Sequence, residues 1–111
     1  MDVNFKKTMT SYMCTQCASV PWIEKSILFG SFAEGTASEL SDFDFAFWVK
    51  PGTTDTEWAI FCEYLRENKP LLNQLDLIRM DELGQKSQAF ILNIQQGEII
   101  YDRDQQTAKK I

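Results

Sequence analysis

The chain contains no histidine. That absence removes the side chain most often used as a general base near neutral pH, every Ser-His-Asp or Cys-His arrangement, and a nitrogen ligand for zinc. Any chemistry must come from carboxylates, Lys, Tyr, Cys or a bound ion. Basic residues are also in deficit: 11 Lys and Arg stand against 16 Asp and Glu, a formal charge of −5. An extended nucleic-acid groove needs a basic surface to displace counterions, so no nucleic-acid partner is expected. A nucleotide is still allowed, because divalent ions can carry positive charge locally. No apolar run approaches the ~20 residues that span a bilayer. The N-terminal stretch MDVNFKKTMTSYMC has no apolar signal-peptide region. With only three Cys, the expectation is a cytoplasmic protein without a membrane partner or a disulfide framework.

What is present reads as one domain over residues 1–111, with eight Phe and three Trp to fill its core. There is no internal repeat, low-complexity tract or long linker. Residues 3–18 have Phe5, Met9, Tyr12 and Met13 near helical spacing, and Pro21 follows. KSILFG, 25–30, reads as a short buried strand, with a short helix near 32–38 after Gly30-Ser31. DFDFAFWV, 42–49, is the clearest strand: Asp42, Asp44, Ala46 and Trp48 fall on one face, Phe43, Phe45, Phe47 and Val49 on the other. Pro51-Gly52 marks a turn. Asp55 or Thr56 can cap a helix reaching Asn68, with Trp58, Phe61, Cys62 and Leu65 as its apolar stripe and Pro70 as its stop. QLDLIRM, 74–80, reads as a third strand. Asp81 suggests an N-cap for a helix over 82–95 that Gly97 ends, before a last short strand, Glu98–Tyr101, and a polar, frayed tail after Arg103. Strands alternating with helices predict an α/β (α+β) domain, a small mixed sheet flanked by helices.

The chemistry-bearing residues cluster in this frame. In Asp42-Phe43-Asp44 a period of two puts both carboxylates on one face, their Cα atoms roughly 6.6 Å apart along the strand. Hard oxygen donors at that separation suit a pair of Mg²⁺ ions, and a buried pair of like charges is costly without such cations. The bland alternative is a half-exposed strand with polar positions facing water. Gly30-Ser31 lets a phosphate approach the backbone, with the Ser hydroxyl and the following helix start as donors. Its alternative is a tight strand-to-helix connection. Ser41 can support the carboxylates by hydrogen bonding. Asp76 lies between Leu75 and Leu77 and points away from their apolar face. It is a third oxygen donor and a candidate general base, or else the partner of Arg79 or Lys50. Cys14-Thr15-Gln16-Cys17 matches half of a zinc or redox pair, but no second pair completes a four-ligand site, so helix packing is the expected role. Trp48 shares the face of the aspartates and is a candidate border for a base.

Together these residues resemble a family signature. GSFAEGTASELSDFDFAF is similar to the motif of the DNA polymerase beta-like nucleotidyltransferases: a Gly-Ser pair, ten intervening residues, then Asp-x-Asp. Gly30-Ser31 and Asp42-Phe43-Asp44 fit without insertion, and Asp76 fits the third acidic residue on a later strand. The short length looks like the minimal nucleotidyltransferase (MNT) branch, often encoded beside a HEPN protein, and the resemblance covers residues 25–102. Glu34 departs from it, standing where many minimal members carry Arg.

The resemblance implies a nucleotidyltransferase fold and a defined set of roles. Asp42, Asp44 and Asp76 would be catalytic and would ligate two Mg²⁺ ions, with Mn²⁺ as a substitute. Gly30, Ser31 and Ser41 would bind the nucleotide, and ATP would be the substrate. The product would be an AMP-modified hydroxyl on a protein partner, a helical HEPN toxin, with this chain as antitoxin. Homo- or hetero-oligomers are both compatible. Alternatives are a catalytically idle subunit that neutralises its partner by contact, a transferase acting on a small molecule, and a purely structural subunit.

Overall fold

A computed structural model of the chain describes residues 3–84 and 88–105. Three helices of eight or more residues pack on a four-stranded sheet. Helix α1, Val3–Ala18, buries Met9, Met13 and Cys17, one turn apart on a single stripe. Strand β1, Ile23–Phe29, leads into α2, Ser31–Glu34. Then come β2, Phe43–Val49, α3, Asp55–Asn68, and β3, Leu75–Arg79. A 3-10 turn at Met80–Glu82 precedes α4, Gln88–Gln95, and β4, Glu98–Asp102.

The strand order is β3-β2-β1-β4. β1 pairs antiparallel with both β2 and β4, whereas β2 and β3 are parallel. A parallel pair needs a crossover, and α3 supplies it. The alternation of β2 distributes the two cores. Phe43, Phe45 and Phe47 point to the layer of α1 and α3, where they meet Met9, Met13, Phe61 and Leu65. Ala46 faces the other layer with Ile27, Phe29 and Ile94 of α4, bordered by Trp48, Ile78 and Phe90. Phe32 of α2 stacks on Phe43, ring centroids 3.8 Å apart and ring planes nearly parallel at 5°, fixing the loop after β1 against the sheet.

Several boundaries depart from the sequence expectation. β1 starts two residues earlier than Lys25, and β2 starts at Phe43, leaving Asp42 just outside. α2 stops at Glu34 instead of reaching 38, because Gly35 takes the left-handed conformation (φ 80°) and donates to Ser31 O. α3 is capped by Thr54 instead of Asp55 or Thr56. Asp81 caps no helix: its carboxylate is taken by Arg79, whose Nε donates to Asp81 Oδ1 at 2.7 Å. The last helix is described from Gln88, and 85–87 lie outside the described residues, as does the tail from 106 onward that was expected to fray. Arg103 itself is anchored, donating to the carbonyls of Ile23 and Val20.

The start of α3 gives a stability test. Thr54 Oγ1 accepts from Glu57 N–H at 3.1 Å and Glu57 Oε1 accepts from Thr54 N–H at 3.0 Å, a reciprocal capping box. Thr54→Ala is expected to cost about 1 kcal/mol, lowering the melting temperature by about 4 °C. An unshifted melt would show that the box does not hold α3.

Candidate active site

The carboxylates meet at one end of the sheet, where β1 finishes and β2 and β3 begin. Asp44 is the second residue of β2 and has a strand on each side: Phe29 of β1 is its antiparallel partner and Asp76 of β3 its parallel one. Phe43 N–H donates to Gln74 O at 3.0 Å and sets that register at its first rung. Because Leu75 and Leu77 turn to the α1–α3 core, Asp76 is forced to the face of Asp44. The two aspartates therefore stand side by side by construction.

Their electrostatics follow. Burial pushes the Asp44 carboxyl up to about 6, helped by the charge of Asp76, a hydrogen bond with it, and the charge of Asp42. No ion pair among the described residues engages Asp42, Asp44 or Asp76. The candidate counterions are committed elsewhere. Arg79, three residues beyond Asp76 and on the opposite face, binds Asp81, Asp55 and Thr53 O, and Lys50 lies 3.9 Å from Glu24. The alternative of a structural pair for Asp76 is thus not what the fold builds.

Gly30 forms the wall beside this pair. Its backbone is at φ 77°, and a Cβ there would overlap Asp44 Oδ2. Only glycine permits both the conformation and the close approach. Its carbonyl accepts the N–H groups of Ala33 and Glu34, at 3.1 and 3.0 Å. Ser31, half-buried, opens the four-residue α2 immediately after it. A donor set of three carboxylates with a backbone cradle, and no cation paired with it among the described residues, fits a divalent ion. The closure is incomplete: among the described residues no three Asp, Glu or Cys side chains are drawn together tightly enough to hold one. Asp44 and Asp76 touch, while Asp42, exposed and outside the strand, acts at longer range.

Other residues singled out in the sequence lie apart from this pair. The Ser41 hydroxyl accepts Ser38 N–H at 2.9 Å and holds the turn before Asp42, so in this structure it supports the loop and not the carboxylates. Trp48, four residues along β2 and so roughly 13 Å from Asp44, does not border the site; it takes Lys25 Nζ over its ring at 5.1 Å. Cys17 is buried on α1, and burial pushes its thiol up to about 12, an inert core position. All three cysteines are free.

One residue escaped the sequence reading. Asn73, 7% exposed, donates from Nδ2 to Glu39 O at 2.8 Å and to Ser41 O at 2.7 Å. It ties the loop that delivers Asp42 to the loop that delivers Asp76. An Asn next to Gln74 in a loop carries no pattern that announces this, since its partners are backbone carbonyls over thirty positions away.

The raised Asp44 carboxyl has a stability consequence. The folded chain keeps this proton up to about pH 6, while the unfolded chain releases it near ~3.9. Between those values the folded state binds more protons, so stability from this group falls as pH rises through the window and the loss is complete above it. Asp44→Asn removes the effect. Its melting temperature should therefore gain on the parent chain progressively from pH 4 to pH 7 in metal-free buffer. A difference that stays constant across that range would exclude the like-charge strain. Gly30→Ala, by contrast, should destabilise the chain by about 1–3 kcal/mol at any pH, through backbone strain and displacement of Asp44; a neutral thermal melt would contradict the close approach.

Comparisons with known proteins bear on the family and the fold. Residues 15–106 match the family described as polymerase beta, nucleotidyltransferase, a span that includes Gly30, Ser31 and all three aspartates. No curated protein matches the chain. Among solved structures it is similar to a chain of a toxin–antitoxin complex with AMP-PNP, at 18% identity and TM-score 0.64, over 87% of this chain and 76% of that one. A second is a chain of the tri-AMPylated Shewanella oneidensis HEPN toxin in complex with MNT antitoxin, at 15% identity and TM-score 0.60, over 93% and 77%. A third is the toxin–antitoxin pair MntA–HepT, at 15% identity and TM-score 0.59, over 90% and 75%. At such identities the likeness is one of fold. The sequence-wide match is what assigns kinship: the chain belongs to the polymerase beta nucleotidyltransferase family.

Proposed function

We propose that the chain is a metal-dependent nucleotidyltransferase that moves AMP from ATP to a hydroxyl on a protein partner, and that it serves as antitoxin to a helical HEPN toxin. The observation that carries the reading is the side-by-side placement of Asp44 and Asp76 against Gly30, with no ion pair to neutralise them among the described residues. Support for the partner comes from the similar folds found in toxin–antitoxin complexes, one of them with a tri-AMPylated HEPN toxin. The net charge of −5 opposes a polynucleotide acceptor.

The assigned roles follow from position. Asp42, Asp44 and Asp76 would hold Mg²⁺, two ions in the family pattern, with Mn²⁺ able to replace it. When bound, these ions neutralise the triphosphate and the charge that develops on the attacking and leaving oxygens. Gly30 and Ser31 offer the phosphates a backbone approach and a hydroxyl, and Ser41 keeps the loop of Asp42 in place. The acceptor oxygen forms a bond to the α-phosphorus, its proton passes to Asp76, and pyrophosphate departs. The acceptor hydroxyl is held in line with the α-phosphorus by its own protein.

A second reading has its own observation. The three carboxylates are not preassembled into a closed ligand set, and Glu34 adds negative charge beside Gly30. Both favour a subunit that silences its partner by contact alone. Incubation of the chain with its HEPN partner, ATP and Mg²⁺, followed by intact mass measurement, separates the two. The transferase should add one or more AMP units to the partner, and Asp44→Asn should slow that at least about 100-fold while the complex still forms. A silenced but unmodified partner would overturn the transferase and leave contact inhibition.

A further inference from the structure

Two leucines stand almost fully exposed on the loops that lead to the carboxylates. Leu40, 89% exposed, precedes Asp42, and Leu72, 93% exposed, precedes Asp76. Both line one groove of about 630 Å³ at the end of α3, with Phe5 of α1 and Leu71 also in its wall. We infer that this groove is the docking surface for the acceptor protein, which seats an apolar side chain flanked by Lys or Arg against Leu40 and Leu72; the inference rests on the nucleotidyltransferase reading of the neighbouring aspartates.

The loops are fixed from beneath. Leu71 packs on the core under α1 and α3, and so does Ala37 in the other loop. Lys69 Nζ donates to the carbonyls of Leu71 and Leu72 at 3.3 and 3.2 Å. Asn73 joins the two loops through the carbonyls of Glu39 and Ser41. The residues beside each leucine are thus spent inward, and the leucines are what faces out. A single exposed leucine needs no explanation. Two on the rim of one groove form an apolar patch of the kind that marks a contact surface.

Position selects the occupant. A chain spans at most ~3.6 Å per residue, so Leu40 lies within about 7 Å of Asp42 and Leu72 within about 14 Å of Asp76, Cα to Cα. A protein segment gripped here has its neighbouring residues at the carboxylates, where an acceptor hydroxyl must be held. Charge selects the flanks. Glu39 and Asp42 are exposed on either side of Leu40, and Glu67 lies in the groove wall. Among the described residues no ion pair engages any of the three. Of the cations in the wall, Lys69 is occupied by the two carbonyls, which leaves Arg66 against this acidic rim. An apolar centre inside a charged rim is the anatomy of a protein interface, and the excess of acid calls for Lys or Arg on the partner.

The test compares the parent chain with Leu40→Ser/Leu72→Ser, each with the HEPN partner, ATP and Mg²⁺. The double variant should raise both the Kd of the complex and the KM for the partner at least about tenfold. Its affinity for ATP with Mg²⁺, and its kcat at saturating partner, should match the parent. Both leucines are exposed, so an unshifted thermal melt verifies the fold. As an independent variant, Glu39→Lys should weaken the complex at low salt and less so at high salt; no weakening would overturn the basic flank. An unchanged Kd for the double variant, or a lower kcat with KM unchanged, would overturn the docking surface and leave the transferase reading standing. So would a dimer of the chain alone that the double variant dissolves in sedimentation, since the leucines would then cover a second copy. A parent chain that forms the complex and adds no AMP would overturn the transferase reading, and acceptor docking with it.

Discussion

Parallel pairing of β2 with β3 is the constraint on which the site depends. It sets Asp44 opposite Asp76, and with a period of two it sends both to the same face. Two carboxylates in contact, one of them half-buried, repel each other and lose hydration, and among the described residues no cation compensates them. Hydrophobic packing on the opposite face holds the arrangement: Phe43, Phe45 and Leu75 are immobilised under α1 and α3, so neither aspartate can rotate away without exposing a core residue. The rest of the site adapts to this pair. Gly30 withdraws its side chain, α2 is short, and Asn73 binds the two approaching loops together.

Much of this was legible because it rests on period and spacing. The β2 alternation named both faces of the sheet, and the Leu-Asp-Leu run put Asp76 on the side it occupies. The ten residues between Ser31 and Asp42 were enough to bring Gly30 beside Asp44. The misplaced boundaries share a cause. Asp81 looks like a cap when read locally, but it is claimed by Arg79, whose guanidinium also reaches Asp55 and Thr53 from another part of the chain. Asp55 and Thr56 are good caps by type, yet the Thr54–Glu57 pair satisfies two backbone groups where either alone would satisfy one. Trp48 shares the right face and sits at the wrong distance, since a face says nothing about position along a strand. Asn73 was invisible for a further reason: an amide acts through whatever the fold puts near it, and sequence periodicity does not encode that.

The strain at Asp44 also bears on why the pair exists. A carboxylate pair kept only for stability would be expected near a guanidinium, and this chain has one available in Arg79, buried and three residues from Asp76. The strand alternation sends that guanidinium to the opposite face, where it is fully occupied. An odd spacing of three along one strand thus separates the cation from the anions. An arrangement that costs stability in isolation, with its natural counterion directed elsewhere, is the pattern of a site completed from outside. In the proposed function a cation carried in with an anionic ligand would complete it, because the same event would relieve the repulsion and fill the cradle at Gly30.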